Sequence, residues 1–376
     1  TPDCVGDTVT FSLSRPRNLS VEVNGDIFHN LHLFANPIDK FRPSDKEIQR
    51  ALKKKKGSNL IYFGPGVHNL PNDTLFVPSG TTVYIDGGAR VYGNIFTEGA
   101  HDVNIFGRGE VHPDGRGAGV WVRRSKNVRI DGIVVSQLPI GQCDSVELTN
   151  VKSISYYGWG DGMDVFSSSN VILDGVFCRN SDDCAAVYAS TQGFKGGSNN
   201  VLVKNATLWA DVAHPINIGG HGDPNGMDTV QNVTFRNIDI LDQAEKQIDY
   251  QGCLAINPGD NTLVRNITFE NIRIEDFRNG QLVNFRISFN PKYCVSTGRG
   301  IQNVLVKDVT YNGSGENLSI IAGYDENHKI SGIRFVNLVV NGRKITDDMP
   351  GKPKWYKTGD MAGIFVGEHV ENLSFE

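Results

Sequence analysis

Residues 200–208 read NVLVKNATL and residues 266–274 read NITFENIRI: an Asn, a short run alternating apolar and polar, a second Asn, and a second such run. Alternation of this kind marks strands with one buried face. Comparable runs begin at Val83, Val103, Val128, Val146, Val171, Val201, Val233, Ile267, Val304 and Ile333, and Asn127, Asn170, Asn200, Asn232, Asn266 and Asn303 stand immediately before six of them. The intervals run from 18 to 37 residues. One such unit cannot bury its inner face alone, whereas stacked units form continuous aliphatic and Asn ladders. A β-propeller would need a longer, more uniform period with four strands per blade. The pattern therefore predicts an all-β chain, a right-handed parallel β-helix, whose tight corners use many of the 42 glycines.

Outside the repeat, residues 1–40 read as a small N-terminal β-sheet element, and residues 41–376 as the β-helix domain. Runs at residues 11–13, 19–23 and 31–33 alternate, Asn24-Gly25 is a hairpin signal, and one buried face is expected. Ser44-Asp45-Lys46-Glu47 resembles a capping box opening a short helix that stops near Gly57, with Lys53 to Lys56 as its solvated end. The formal charge of −5 and the lack of any other basic run give no reason to expect nucleic acid. No apolar run reaches the length of a membrane span, and a start at Thr1-Pro2-Asp3-Cys4 suggests a processed or truncated chain. The six cysteines show no zinc-type spacing; Cys178 and Cys184 either pair or are buried thiols, the second being the commoner state of free Cys. Sequons such as those at Asn18 and Asn232 need no glycosylation to explain them, since they fall within the Asn-aliphatic pattern.

Chemistry concentrates in residues 156–186, YYGWGDGMDVFSSSNVILDGVFCRNSDDCAA. Asp161 and Asp164 precede one apolar strand, and Asp182 and Asp183 follow it. If this segment is one coil, the clusters stand roughly 5 Å apart on neighbouring coils. Carboxylates so crowded repel, so one should keep its proton near neutrality while another is ionised, as a general acid and base require. Asp183 lies twelve residues past Val171, and His214 thirteen past Val201, which brings them to one corner of consecutive coils. Asp164 should point away from Asp161 and be structural. Each feature has a plainer reading too, because Asp-Gly pairs are ordinary turn formers and paired aspartates often a solvated corner. Adjacent Asp182 and Asp183 can share one cleft only at a bulge or a strand end.

Gly160-Asp161-Gly162-Met163-Asp164 followed by Ser181-Asp182-Asp183-Cys184 resembles the paired acidic signatures of glycoside hydrolase family 28, the polygalacturonases, whose β-helix clan includes the family 49 dextranases and isopullulanases. The resemblance covers roughly residues 60–340, including the spacing of 21 between Asp161 and Asp182. It implies an inverting glycoside hydrolase with Asp182 as general acid, Asp161 and Asp183 positioning and deprotonating water, and the acid and base about 6.5–9.5 Å apart. For the family histidine, His214 fits the repeat better than the literal Gly220-His221-Gly222, which leaves His221 to line the cleft. The family's Arg-Ile-Lys is missing: its coil offers Ala255 and Asn257, and Arg286 recovers only one cation a coil later. That places unmodified polygalacturonate in doubt as substrate. Trp159, Tyr156, Tyr157 and Tyr188 are candidate sugar platforms. The resemblance further implies a polysaccharide or oligosaccharide substrate, no cofactor or metal, a monomer, and a secreted or periplasmic location acting on cell-wall material. Two other classes compete: a calcium-dependent polysaccharide lyase using the four aspartates as ligands, and a non-catalytic carbohydrate-binding β-helix.

Overall fold

The computed structural model describes residues 2–53, 57–113, 115–314 and 316–376. The chain divides into two units, one reaching to Arg42 and the other running from Pro43 to Glu376. The first holds two separate antiparallel hairpins, Asp3–Val5 with Thr8–Thr10 and Arg17–Val23 with Asp26–Ala35. Asn24 and Gly25 turn the second at φ of 56° and 73°, the conformation that a two-residue hairpin loop demands. The expected strand at residues 11–13 is absent and the expected buried face does not form: no described residue before Pro43 is buried. Two-stranded ribbons in a segment of about 40 residues have too little surface to enclose a core.

The second unit opens on the helix Asp45–Leu52, capped reciprocally by Ser44 and Glu47. Lys53 is its C-cap, and the rest of the lysine run lies outside the described residues. From Leu60 the chain winds as a right-handed parallel β-helix. Each full coil lays one strand on each of three faces. The first face includes Lys126–Asp131, Asp144–Thr149, Ser169–Asp174 and Ser198–Lys204. The second includes Lys152–Ile154, Phe177–Asn180 and Thr207–Ala210. The third includes Met163–Phe166, Ala185–Tyr188, Ile216–Ile218, Leu254–Ile256 and Val283–Arg286. In later coils the first two faces merge into long bent strands such as Thr229–Gln243 and Leu263–Ile274.

In-register pairing stacks Val103, Val128, Val146, Val171, Val201, Val233, Ile267, Val304 and Ile333 into one interior column. Val83 is the exception, pairing with Ile105 in the next column. Each buried aliphatic side chain contributes about 1.5–3 kcal/mol, so the column is a main source of stability. Both Asn positions of the repeat are corners: Asn200, Asn232, Asn266 and Asn303, and Asn205, Asn237 and Asn271, have φ between 54° and 56°. Asn tolerates this left-handed region better than other residues with a Cβ. Its amide then bonds the neighbouring coil, as in Asn200 to Asn170 at 2.7 Å and Asn266 to Asn232 at 3.1 Å. Cys178 and Cys184 are unbridged, buried thiols. Among the described residues, no helix is long and apolar enough to cross a membrane.

Candidate active site

Between the second and third faces the chain makes turns at residues 155–162, 181–184, 211–215 and 244–253. Met163, Ala185, Ile216 and Leu254 pair in one column on the third face. Counting back two residues from each puts Asp161, Asp183, His214 and Gly252 in a single file. The ladder continues through those turns, with Gly162 N–H bonding the Asp183 carbonyl at 2.8 Å and Cys184 N–H the His214 carbonyl at 2.9 Å. Gly162 is needed for this approach, since a Cβ there would stand 2.2 Å from the Cys184 carbonyl oxygen. Asp182 precedes the file by one residue, and its Oδ1 accepts from the Asp183 N–H at 3.0 Å. Residues 181–184 lie outside the strands, so neighbouring aspartates are released from strand alternation there and both reach the site.

One oxygen from each of Asp161, Asp182 and Asp183 lies within 4.8 Å of the others. This is tighter than the separation expected of an acid and base with water between them. Such a cluster could close on a cation, or relieve its repulsion by holding protons. Asp183 is 1% exposed and has both oxygens committed. Its Oδ1 meets the His214 ring Nδ1 at 2.7 Å and accepts from the His214 N–H at 3.1 Å. Its Oδ2 accepts from the Tyr188 hydroxyl, from Asn217 Nδ2 at 2.9 Å and from the Tyr250 hydroxyl at 3.4 Å. Burial pushes this carboxyl up, but the His214 charge and the hydrogen bonds from His214, Tyr188 and Asn217 outweigh it and hold it below its ordinary value. Asp161 and Asp182 are half-buried, and among the described residues no side chain donates to either carboxyl. Burial, then the Asp183 charge, pushes Asp161 up to about 7. Burial, then the charges of Asp183 and Asp161, pushes Asp182 up to about 8. Asp164, on the third-face strand, is also raised, by burial first and then by the other three aspartates.

The remaining candidates surround this centre at different depths. Tyr188 is only 5% exposed, its ring stacked on Phe166 at 5.9 Å, so it meets the site through its hydroxyl. The His221 ring packs edge-on to Tyr188 at 5.0 Å, one ring farther from the aspartates. Asn257 and Arg286 follow Tyr188 on the same outward file of the third face. Arg286 Nη2 donates to the Asp249 carbonyl at 3.0 Å, and Asn257 Nδ2 donates to Asn284 Oδ1 at 3.1 Å. Trp159 and Tyr156 are open to solvent on the turn 155–162 that carries Asp161, 66% and 88% exposed. Tyr157 instead donates its hydroxyl to the Gly117 carbonyl.

Sequence reasoning misses Asn217, Tyr250 and Glu245. Asn217 was accessible to it, since alternation from Ile216 turns it outward beside the site. Tyr250 and Glu245 sit in the ten-residue turn 244–253, which carries a short 3₁₀ segment, Ile248–Tyr250, and breaks the repeat that locates the other residues. The Tyr250 ring packs edge-on to His214 at 4.3 Å and stacks on Tyr293 at 4.8 Å. Lys292 Nζ lies 4.8 Å from the Tyr293 ring centre and donates to Gln247 Oε1 at 3.0 Å.

Residues 119–349 match the family model described as glycosyl hydrolases family 28. A polygalacturonase of Juniperus ashei is 26% identical over 295 residues, covering 69% of this chain and 54% of its own length. The chain spans about half the length of the curated relatives it matches. Among solved structures, a family 28 exopolygalacturonase of Yersinia enterocolitica superposes with a TM-score of 0.65 at 14% identity, over 92% of this chain and 79% of its own. A surface adhesin of Streptococcus pneumoniae does so with a TM-score of 0.55 at 14% identity, over 88% and 77%. Likenesses at such identity establish the fold alone, whereas the family match spans the aspartates and His214. The chain belongs to glycosyl hydrolase family 28.

Proposed function

We propose that the protein hydrolyses glycosidic bonds in a polysaccharide by a single displacement with inversion. The observation that carries this reading is the meeting of three aspartates from two adjacent coils within 4.8 Å, with donors gathered on Asp183. Asp182, pushed up to about 8, is still protonated at neutral pH and can donate to the leaving oxygen. Asp183 is held ionised by its donors but is too enclosed to attack an anomeric carbon, so its charge acts on the water through its neighbours. Asp161, half-buried and next in the file, is the group that can take a proton from that water. A covalent intermediate would need a carboxylate that reaches the anomeric carbon; Asp183 is too enclosed to do so, and in this reading the ionised form of Asp161 takes the proton of the water. His214 fixes the orientation of Asp183. No step calls for a cofactor.

We further infer that the preferred chain differs from unmodified polygalacturonate, since Ala255 and Asn257 are uncharged, while Arg286 and Lys292 direct Nη2 and Nζ to the Asp249 carbonyl and to Gln247. A polymer substrate implies that the protein works outside the cytoplasm, secreted or periplasmic, and the reading needs only one subunit. A panel of polysaccharides scored for new reducing ends, with and without chelator, tests the reaction class. Hydrolysis insensitive to chelator is expected. Unsaturated products that need calcium, or binding with no cleavage of any polymer, would overturn the reading.

A further inference from the structure

His214 is delivered by a turn held in an unfavourable conformation. Ala213, the residue before it, is 1% exposed and has φ of 62°, the left-handed region that residues with a Cβ avoid. Both of its backbone groups are bonded by side chains of the following coil: its N–H donates to Glu245 Oε2 at 3.2 Å, and its carbonyl accepts from Gln243 Nε2 at 3.1 Å. Glu245 is itself 4% exposed. Its Oε1 accepts from the Gln247 N–H at 2.7 Å and from Gln247 Nε2 at 3.3 Å. These partners are amides, so they hold the carboxylate in place without cancelling its charge. Gln247 in turn receives Lys292, the nearest cation in this chain of contacts.

A carboxylate accepts from Ala213 on one oxygen and from Gln247 on the other, whereas an amide has one acceptor oxygen and would turn a donor toward one of these N–H groups. We propose that Glu245 is a positioning residue: it pins the Ala213 turn that presents His214 to Asp183. Its effect on turnover rests on the reading of Asp183 and its neighbours as the reacting groups.

The test compares wild type with Glu245→Gln, Glu245→Asp and Ala213→Gly. The readouts are kcat and KM across pH, the thermal midpoint, and the NMR signal of the imidazole proton between His214 and Asp183 in the free protein, assigned with His214→Ala. Glu245→Gln should lower kcat by about 10- to 100-fold with little change in KM, as expected for a displaced but intact catalytic group. Its imidazole signal should shift or broaden, and Glu245→Asp should recover part of each effect. Ala213→Gly keeps the pin and removes the Cβ penalty at φ of 62°, so alone it should leave the imidazole signal in place, and added to Glu245→Gln it should restore folding and part of the signal. An imidazole signal unchanged in Glu245→Gln, or not recovered when Ala213→Gly is added, would overturn the pinning. If wild type cleaves no polysaccharide, the proposed reaction fails, while the imidazole signal still decides whether Glu245 pins the turn.

Discussion

Asp182 and Asp183 are adjacent in sequence and opposite in behaviour, and the difference lies in their partners. Asp183 has donors on both oxygens; Asp182 has crowding and burial but, among the described residues, only its neighbour's N–H. Asp182→Asn keeps the shape of the acid and removes its proton, so turnover should fall by at least about 100-fold while binding persists. A variant keeping more than a tenth of wild-type kcat would exclude Asp182 as the acid, the remainder being read by steady-state kinetics on the cleaved polymer. Stability provides an independent check. The folded-state value of about 8 lies above the unfolded carboxyl, so folded protein binds an extra proton in between and loses stability as pH rises through that window. Asn carries no such loss. The thermal midpoint of Asp182→Asn should therefore exceed that of wild type above pH 8, with the gap closing as pH falls towards about 4. Scanning calorimetry at several pH values measures it, and a constant gap would contradict the assigned protonation.

At the scale of the element, the Asn corner sets the period of the coil. Asn266 combines φ of 56° with side-chain bonds to Asn232 and Asn303. Asn266→Ala should cost about 1–3 kcal/mol, the sum of a left-handed alanine and lost hydrogen bonds, whereas Asn266→Gly should lose only the ladder. Urea unfolding of both variants checks this, and equal losses would show that φ contributes nothing. These corners explain what could be read from sequence. A repeated Asn before an aliphatic run carries both a backbone conformation and a stacking partner, so the fold and the shared file of Asp161, Asp183 and His214 were legible together. The turn 244–253 was not, because its ten residues follow no period, and with it went Tyr250 and Glu245. Residues 11–13 were misread for another reason: alternation signals a face that could be buried, and in a short unit nothing buries it.

For the whole molecule, the β-helix is a scaffold that serves enzymes and at least one adhesin, so the reaction has to be argued from the turns that line the site. The same holds for the substrate. On the expectation that family members place an Arg and a Lys where this coil has Ala255 and Asn257, the proposed site forgoes two charge-assisted hydrogen bonds to a sugar carboxylate, each worth about 1.5–3 kcal/mol. Polygalacturonate should therefore show a lower kcat/KM than at least one neutral or substituted chain in a panel with dextran, pullulan and rhamnogalacturonan; clear preference for polygalacturonate would mean that Arg286 or Lys292 takes the carboxylate. The central claim, direct displacement by water, meets its hardest case in the aspartate spacing. Nearest oxygens within 4.8 Å resemble the narrow geometry usual for a covalent intermediate; Asp183 is too enclosed to form one, and for Asp161, whose ionised form serves base and nucleophile alike, the stereochemistry of the product decides. Proton NMR of the first sugar ends released from the cleaved polymer separates the two. The account predicts that the anomer opposite to the broken linkage appears first and then mutarotates; initial release of the same anomer would contradict it.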